Sequence, residues 1–138
     1  MTLLALSITI LLLALLAYRA FQRALRVDRF KSRFQSLYPP SETVTWLARP
    51  GQRPLLAHLY KPSGWHHTDQ RPCIVLFFGG AWRVGSAWQF APFAQRLCAL
   101  GAVVVLPEYR IKSRDRSTVD EAVTDGFVVM DTVRESAD

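Results

Sequence analysis

The stretch Phe-Phe-Gly-Gly-Ala-Trp-Arg-Val-Gly-Ser at 77–86 gathers the residue types best suited to chemistry in this sequence. An apolar run leads into it. Gly79 and Gly80 let the backbone turn sharply and approach a ligand closely, so that successive N–H groups can point at one developing negative charge. That is the requirement of an oxyanion hole. A tight strand-to-helix turn would use glycines in the same way. The spacing of Gly79, Gly80 and Gly85 is not Gly-x-Gly-x-x-Gly, and no Gly-Lys-Ser/Thr follows, which excludes the two common phosphate-binding loops.

The remaining reactive side chains are scattered. Ser86 follows Gly85 and has the character of a helix N-cap rather than a nucleophile. His58 sits in a strand-like run, and His66 with His67 in a polar loop. We read all three as structural or solvated, and two adjacent histidines with Asp69 nearby do not make a metal site. Cys73 and Cys98 read as small buried thiols. Glu108, Tyr109 and Arg110, at the end of an apolar run, fit a bracing network beside the glycine loop. The acidic residues from Asp115 onward read as a solvated helix face.

The elements that must position the loop follow from periodicity. Residues 43–48 and 55–60 are strand-like and separated by turn-forming Pro and Gly, which predicts a hairpin. Residues 73–78 are continuously apolar, as expected of a strand buried on both faces of a sheet. A helix is predicted over 88–100, with Phe90, Phe93, Ala94, Leu97 and Leu100 on one stripe. A second apolar strand follows at 102–106. Thr118 and Glu121 have capping-box spacing ahead of a last helix with Val119, Val123, Phe127, Met130 and Val133 on its stripe. Strand, helix, strand, helix implies a parallel crossover in an α/β fold.

Two segments carry a family resemblance. Phe-Gly-Gly-Ala-Trp at 78–82 resembles the His-Gly-Gly-Gly-Trp loop of α/β-hydrolase esterases and lipases, and Leu-Pro-Glu-Tyr-Arg at 106–110 resembles the Asp-Tyr-Arg segment of their acetyl-esterase-like members. The resemblance implies the N-terminal part of an α/β-hydrolase sheet, carboxylic-ester hydrolysis and no cofactor. It makes the backbone N–H groups of Gly80 and Ala81 the oxyanion donors, with Gly79, Trp82 and Gly85 shaping the loop. Phe78 stands where the family has a His that braces the loop, and Ala81 where it has a Gly. The Gly-x-Ser-x-Gly nucleophile, the acid and the His of the family do not occur in these 138 residues. The family's strand order would leave the 73–78 strand at an open edge. The other reading is a catalytically inactive, membrane-tethered remnant or interaction module.

Residues 3–18 are almost wholly apolar, which as a helix spans roughly 24 Å. No basic residue precedes them, and Arg19, Arg23, Arg26, Arg29, Lys31 and Arg33 follow. This predicts a single-pass anchor and basic juxtamembrane helix over 1–38, stopped by Pro39 and Pro40, with a partial α/β-hydrolase domain over 39–138 in the cytoplasm rather than exported. Of the net charge of +6, only +1 lies beyond Phe34, where 11 basic residues face 10 acidic ones. The excess therefore suits a lipid bilayer and not nucleic acid.

Overall fold

The computed structural model describes residues 2–136, the side chains of 2–7 and 20–29 excepted. The chain divides after Arg33 into two compact units. Helix α1 (Thr2–Leu37) forms the first unit and runs into the second, ending ahead of Pro39 and Pro40, whose rings cannot continue a helix. The apolar run at 3–18 begins among side chains outside the described set. Among the described residues no helix is long and apolar enough to cross a membrane.

The second unit is built on a four-stranded sheet of order β1-β2-β4-β3. Strands β1 (Glu42–Leu47) and β2 (Leu55–Tyr60) form the expected antiparallel hairpin, with Thr43 opposite His58 and an irregularity between Thr45 and Leu47. Strand β3 (Cys73–Val75) runs parallel to β4 (Val103–Pro107), and Val103 N–H donates to Pro72 O and Leu76 N–H to Val105 O. Helix α2 (Ala91–Ala99) connects them and packs on β4.

Side chains of a strand alternate between faces. Tyr60, Val104 and Leu106 join the core that Trp88, Ala91 and Ala94 close on one side. Ala57, Leu59, Val103 and Val105 face the other way, toward Val129 and Val133 of helix α4 (Val119–Glu135). The result is a mixed α/β sheet between helices. Trp88, Leu106 and Val104 are almost wholly shielded, each contributing roughly 1.5–3 kcal/mol of apolar burial.

Four expectations are corrected. Residues 73–78 are not a strand buried on both faces: β3 is short, lies at the sheet edge and is only half-buried, while the doubly covered strand is β4. The 88–100 helix is a 3₁₀ turn (Ala87–Phe90), capped by Ser86, followed by α2 with Pro92 in its first turn. Its buried face is Ala91 and Ala94, where small side chains let the helix approach β4, and Phe93 and Leu100 are exposed. On α4 the buried residues are Ala122, Asp125 and Val129, while Val119, Val123 and Phe127 are exposed. The capping box of Thr118 and Glu121 forms as expected: Thr118 Oγ1 accepts from Glu121 N–H at 3.3 Å, and the Glu121 carboxylate accepts from Thr118 N–H at 2.8 Å.

Candidate active-site loop

The chain leaves β3 at Leu76 and enters a loop whose shape its glycines make possible. Gly80 has φ +139°, and a Cβ built there would lie 1.8 Å from Val84 O. Gly85 has φ +130°, and its Cβ would fall 2.4 Å from Gly79 O and 2.6 Å from the Phe78 ring. Neither position admits a side chain. Gly79 differs, since a Cβ there meets nothing within 4 Å and would point into open space.

Ala81 (φ 52°) and Trp82 (φ 57°) both occupy the left-handed region, which costs roughly 1–2 kcal/mol for each residue bearing a Cβ. The loop is clamped in that conformation. Arg83 and Val84 N–H groups donate to Gly80 O at 3.0 and 3.2 Å, closing the turn from inside. From outside, Lys112 N–H donates to Trp82 O at 2.9 Å and Ser113 N–H to Arg83 O at 3.0 Å, both from the start of helix α3 (Lys112–Asp115). Among the described residues, the N–H groups of Gly80 and Ala81 donate to no protein acceptor.

Beneath the loop, Phe78 stacks on Tyr109 with ring centroids 4.1 Å apart and planes 16° from parallel. The Tyr109 hydroxyl donates to Phe78 O. Burial raises the Tyr109 phenol above its ordinary range, which keeps it a neutral donor. Where the family pattern has a hydrogen-bonding His, this chain therefore has an aromatic stack plus a tyrosine reaching the main chain.

Arg110, the next residue, is held by Asp125 of α4. Its Nε and Nη2 donate to the two carboxylate oxygens at 2.8 Å each, and its backbone N–H donates to Oδ2 at 3.0 Å. Arg49 adds a fourth contact at 3.2 Å. Burial alone would raise the Asp125 carboxyl, but the side-chain and backbone hydrogen bonds from Arg110 outweigh it and hold it below the usual carboxylate range. Glu108 pairs with Arg53 at 2.7 Å and lies 3.7 Å from Arg114. Glu108, Tyr109 and Arg110 thus each hold a neighbouring segment in place.

Asp125 is fully buried, which the outward-face reading of the last helix missed. Its signal was its spacing from Ala122 and Val129, three and four residues away on one helix face.

Gly79, Gly80, Ala81 and Trp82 line one side of a cleft of about 420 Å³, faced by Phe77, Val123, Phe127 and Met130, while Gly85 packs underneath. The remaining candidates lie elsewhere. His58 is buried, shares a 3.0 Å hydrogen bond with Thr43 and rests on Trp88. His66 and His67 lie against each other with tilted rings in an exposed turn. Among the described residues no three His, Cys, Asp or Glu side chains converge on one point.

A strand-end glycine loop beside an apolar cleft, on a parallel β3-α2-β4 crossover with an antiparallel hairpin, defines an α/β-hydrolase-type fold. No family model matches the sequence, and no curated protein is similar to it. Solved structures are. A thermophilic esterase from the planctomycete Thermogutta terrifontis, with butyrate bound, matches at 33% identity and TM-score 0.68 over 72% of this chain. Esterase 2 of that organism phosphonylated by cyclosarin, and its apo form, match with the same identity and score. The chain spans 36–38% of the length of these structures. It is the N-terminal part of an esterase/lipase-type α/β-hydrolase fold.

Proposed function

We propose that this segment supplies the oxyanion hole of a serine carboxylic-ester hydrolase. Gly80 and Ala81 are the donors, and Gly79, Trp82 and Gly85 shape the loop around them. A serine on residues outside the chain attacks the ester carbonyl and gives its proton to a base that also lies outside the chain, the carbonyl π electrons move onto oxygen, and the two N–H groups hold the resulting oxyanion. Loss of one such donor typically costs about 2.7–4 kcal/mol of transition-state stabilisation. The observation that carries the reading is that the Gly80 and Ala81 N–H groups, like those of Gly79 and Trp82 on either side, are unengaged among the described residues, at a strained, clamped loop on the wall of an apolar cleft.

The butyrate complex of the similar esterase suggests a short acyl chain as substrate class, and it provides a probe. Titrating the isotope-labelled chain with butyrate, whose carboxylate stands in for the oxyanion, should move the Gly80 and Ala81 amide resonances together and saturably. Unmoved amides at those two positions with butyrate bound elsewhere would overturn the assignment.

The N-terminal helix supports a second part of the proposal, attachment to a bilayer with the second unit on the cytoplasmic side. Residues 8–18 are exposed on every face of α1 although nearly all are apolar, and basic residues follow. A helix that is apolar all round needs a nonaqueous surrounding. A reporter that is active only after export, fused after Phe34, should stay silent, and its activity would reverse the orientation.

A further inference from the structure

The outer rim of the same loop bears features that a role in shaping the oxyanion hole does not exhaust. Trp82 is 45% exposed and Val84 57%, with exposed Arg83 between them at the tip. Eleven Lys and Arg residues follow Phe34, and of these eleven only Arg83, Arg96, Lys112 and Arg116 make no ion pair among the described residues. Three of these four are drawn together by backbone. Ser113 N–H is bonded to Arg83 O, Lys112 N–H to Trp82 O, and Arg116 N–H to Lys112 O at 3.0 Å, one helical turn on. The acidic residue among them, Asp115, is already engaged by Arg53 and Arg114.

We infer that this rim is a second membrane-contact surface, one that seats Trp82 and Val84 at the interface of a bilayer bearing anionic headgroups while Arg83, Lys112 and Arg116 meet the phosphates. Tryptophan favours the headgroup level, where its ring is half in apolar surroundings. Each Lys or Arg near an anionic surface contributes roughly 1 kcal/mol, and stable attachment needs an apolar and a charged signal together. The rim offers both. Its backbone is already fixed by four hydrogen bonds, so insertion orders little that is mobile.

A small anion in the cleft fits less well. No cation lines the cleft, and neither does Val84, so an anionic ester held there would leave the rim unexplained. The surface does not depend on the ester reading. Only its consequence does, namely that a cleft mouth held at lipid would take apolar esters from the bilayer.

All four tryptophans lie beyond Arg33, at 46, 65, 82 and 88, so tryptophan fluorescence is blind to α1. The test adds the full chain to vesicles of equal parts phosphatidylcholine and phosphatidylglycerol with brominated acyl chains, which quench only buried or interfacial indoles. Quenching is expected in the parent and lost in Trp82→Phe. The triple variant Arg83→Gln, Lys112→Gln, Arg116→Gln should fall to the same level, reflecting roughly a hundredfold weaker rim partitioning. Val84→Trp should add quenching, which keeps the inference testable should Trp82→Phe fold poorly. Parental quenching in Trp82→Phe, indifference to the three neutralisations, or equal quenching on brominated phosphatidylcholine alone would overturn it. The butyrate titration is unaffected by any of these outcomes, so the two proposals fail separately.

Discussion

Replacing Asp125 by Ala tests whether the buried ion pair holds the site together. The carboxylate is fully shielded and accepts four hydrogen bonds, three of them from Arg110. Its removal leaves the Arg110 guanidinium, itself only 12% exposed, without its main partner and strands a backbone N–H. Breaking one side of a buried pair typically costs about 3–5 kcal/mol, a fifth or more of the roughly 5–15 kcal/mol that holds a domain folded. The remaining contacts of Arg110 to Glu121 limit the damage to the lower part of that range. Asp125→Asn keeps the shape and loses the charge, and should cost about 2 kcal/mol. Exchanging both partners for apolar residues, Arg110→Met with Asp125→Leu, should be milder than Asp125→Ala alone. The assay is urea unfolding of the full chain followed by tryptophan emission. The pH dependence has a defined sign. The folded carboxyl titrates below its unfolded value, so its stabilisation is complete above the ordinary aspartate range and fades as the pH falls through the lowered folded value. Asp125→Asn should lack that acid-side loss. An Asp125→Ala midpoint within about 1 kcal/mol of the parent, or an unchanged acid profile in Asp125→Asn, would refute the reasoning.

Further expectations concern the loop and its supports. Gly80→Ala should lower the thermal midpoint sharply, because its Cβ would overlap Val84 O, whereas Gly79→Ala should stay within about 0.5 kcal/mol of the parent by the same melt. Equal effects at the two positions would mean that the loop is not held as described. Tyr109→Phe keeps the stack on Phe78 but strands a buried carbonyl, and should cost about 1–2 kcal/mol in urea unfolding. Burial pushes the Tyr60 phenol up to about 12, while its hydroxyl donates to Tyr38 O at 2.8 Å. Tyr60 should therefore resist ionisation well beyond pH 10 in an ultraviolet titration, with its share of stability intact below pH 10 and lost toward pH 12.

The elements that were legible are those whose signal is local. The glycine loop, the Thr118 capping box, the Pro39-Pro40 stop and the apolar run of β4 each depend on neighbours a few residues away. What sequence periodicity could not supply is which apolar face finds a partner. Phe93 and Leu100 on α2, and Val119, Val123 and Phe127 on α4, have good helical spacing yet lie exposed. The face of α2 that packs uses the small residues Ala91 and Ala94, and the face of α4 that packs carries the long-range ion pair at Asp125. Arg110 lies 15 positions before Asp125 and Arg49 lies 76 before it, so the only local mark on that carboxylate is its spacing from Ala122 and Val129, and its partners cannot be read from its neighbours. The edge position of β3 follows from the family's strand order and not from its own residues, because an apolar run reports suitability for burial, not the number of neighbours that provide it.

The strain at Ala81 and Trp82 makes sense only with these supports. Two consecutive left-handed residues bearing a Cβ would relax unless the structure around them over-determined the turn. Here Asp125 fixes Arg110 through its backbone N–H as well as its guanidinium, Tyr109 fixes the carbonyl of Phe78, and α3, which follows directly, clamps Trp82 and Arg83. Tyr109, Lys112 and Ser113 act directly on residues 78–83, and Asp125 anchors Arg110 between them. The position of the Gly80 and Ala81 donors is therefore set by the strand end that follows β4 as much as by the loop's own glycines. On this reasoning Asp125→Asn should shift the Gly80 and Ala81 amide resonances even though Asp125 does not line the cleft. If they stay in place while stability falls, the ion pair supports the fold without tuning the loop.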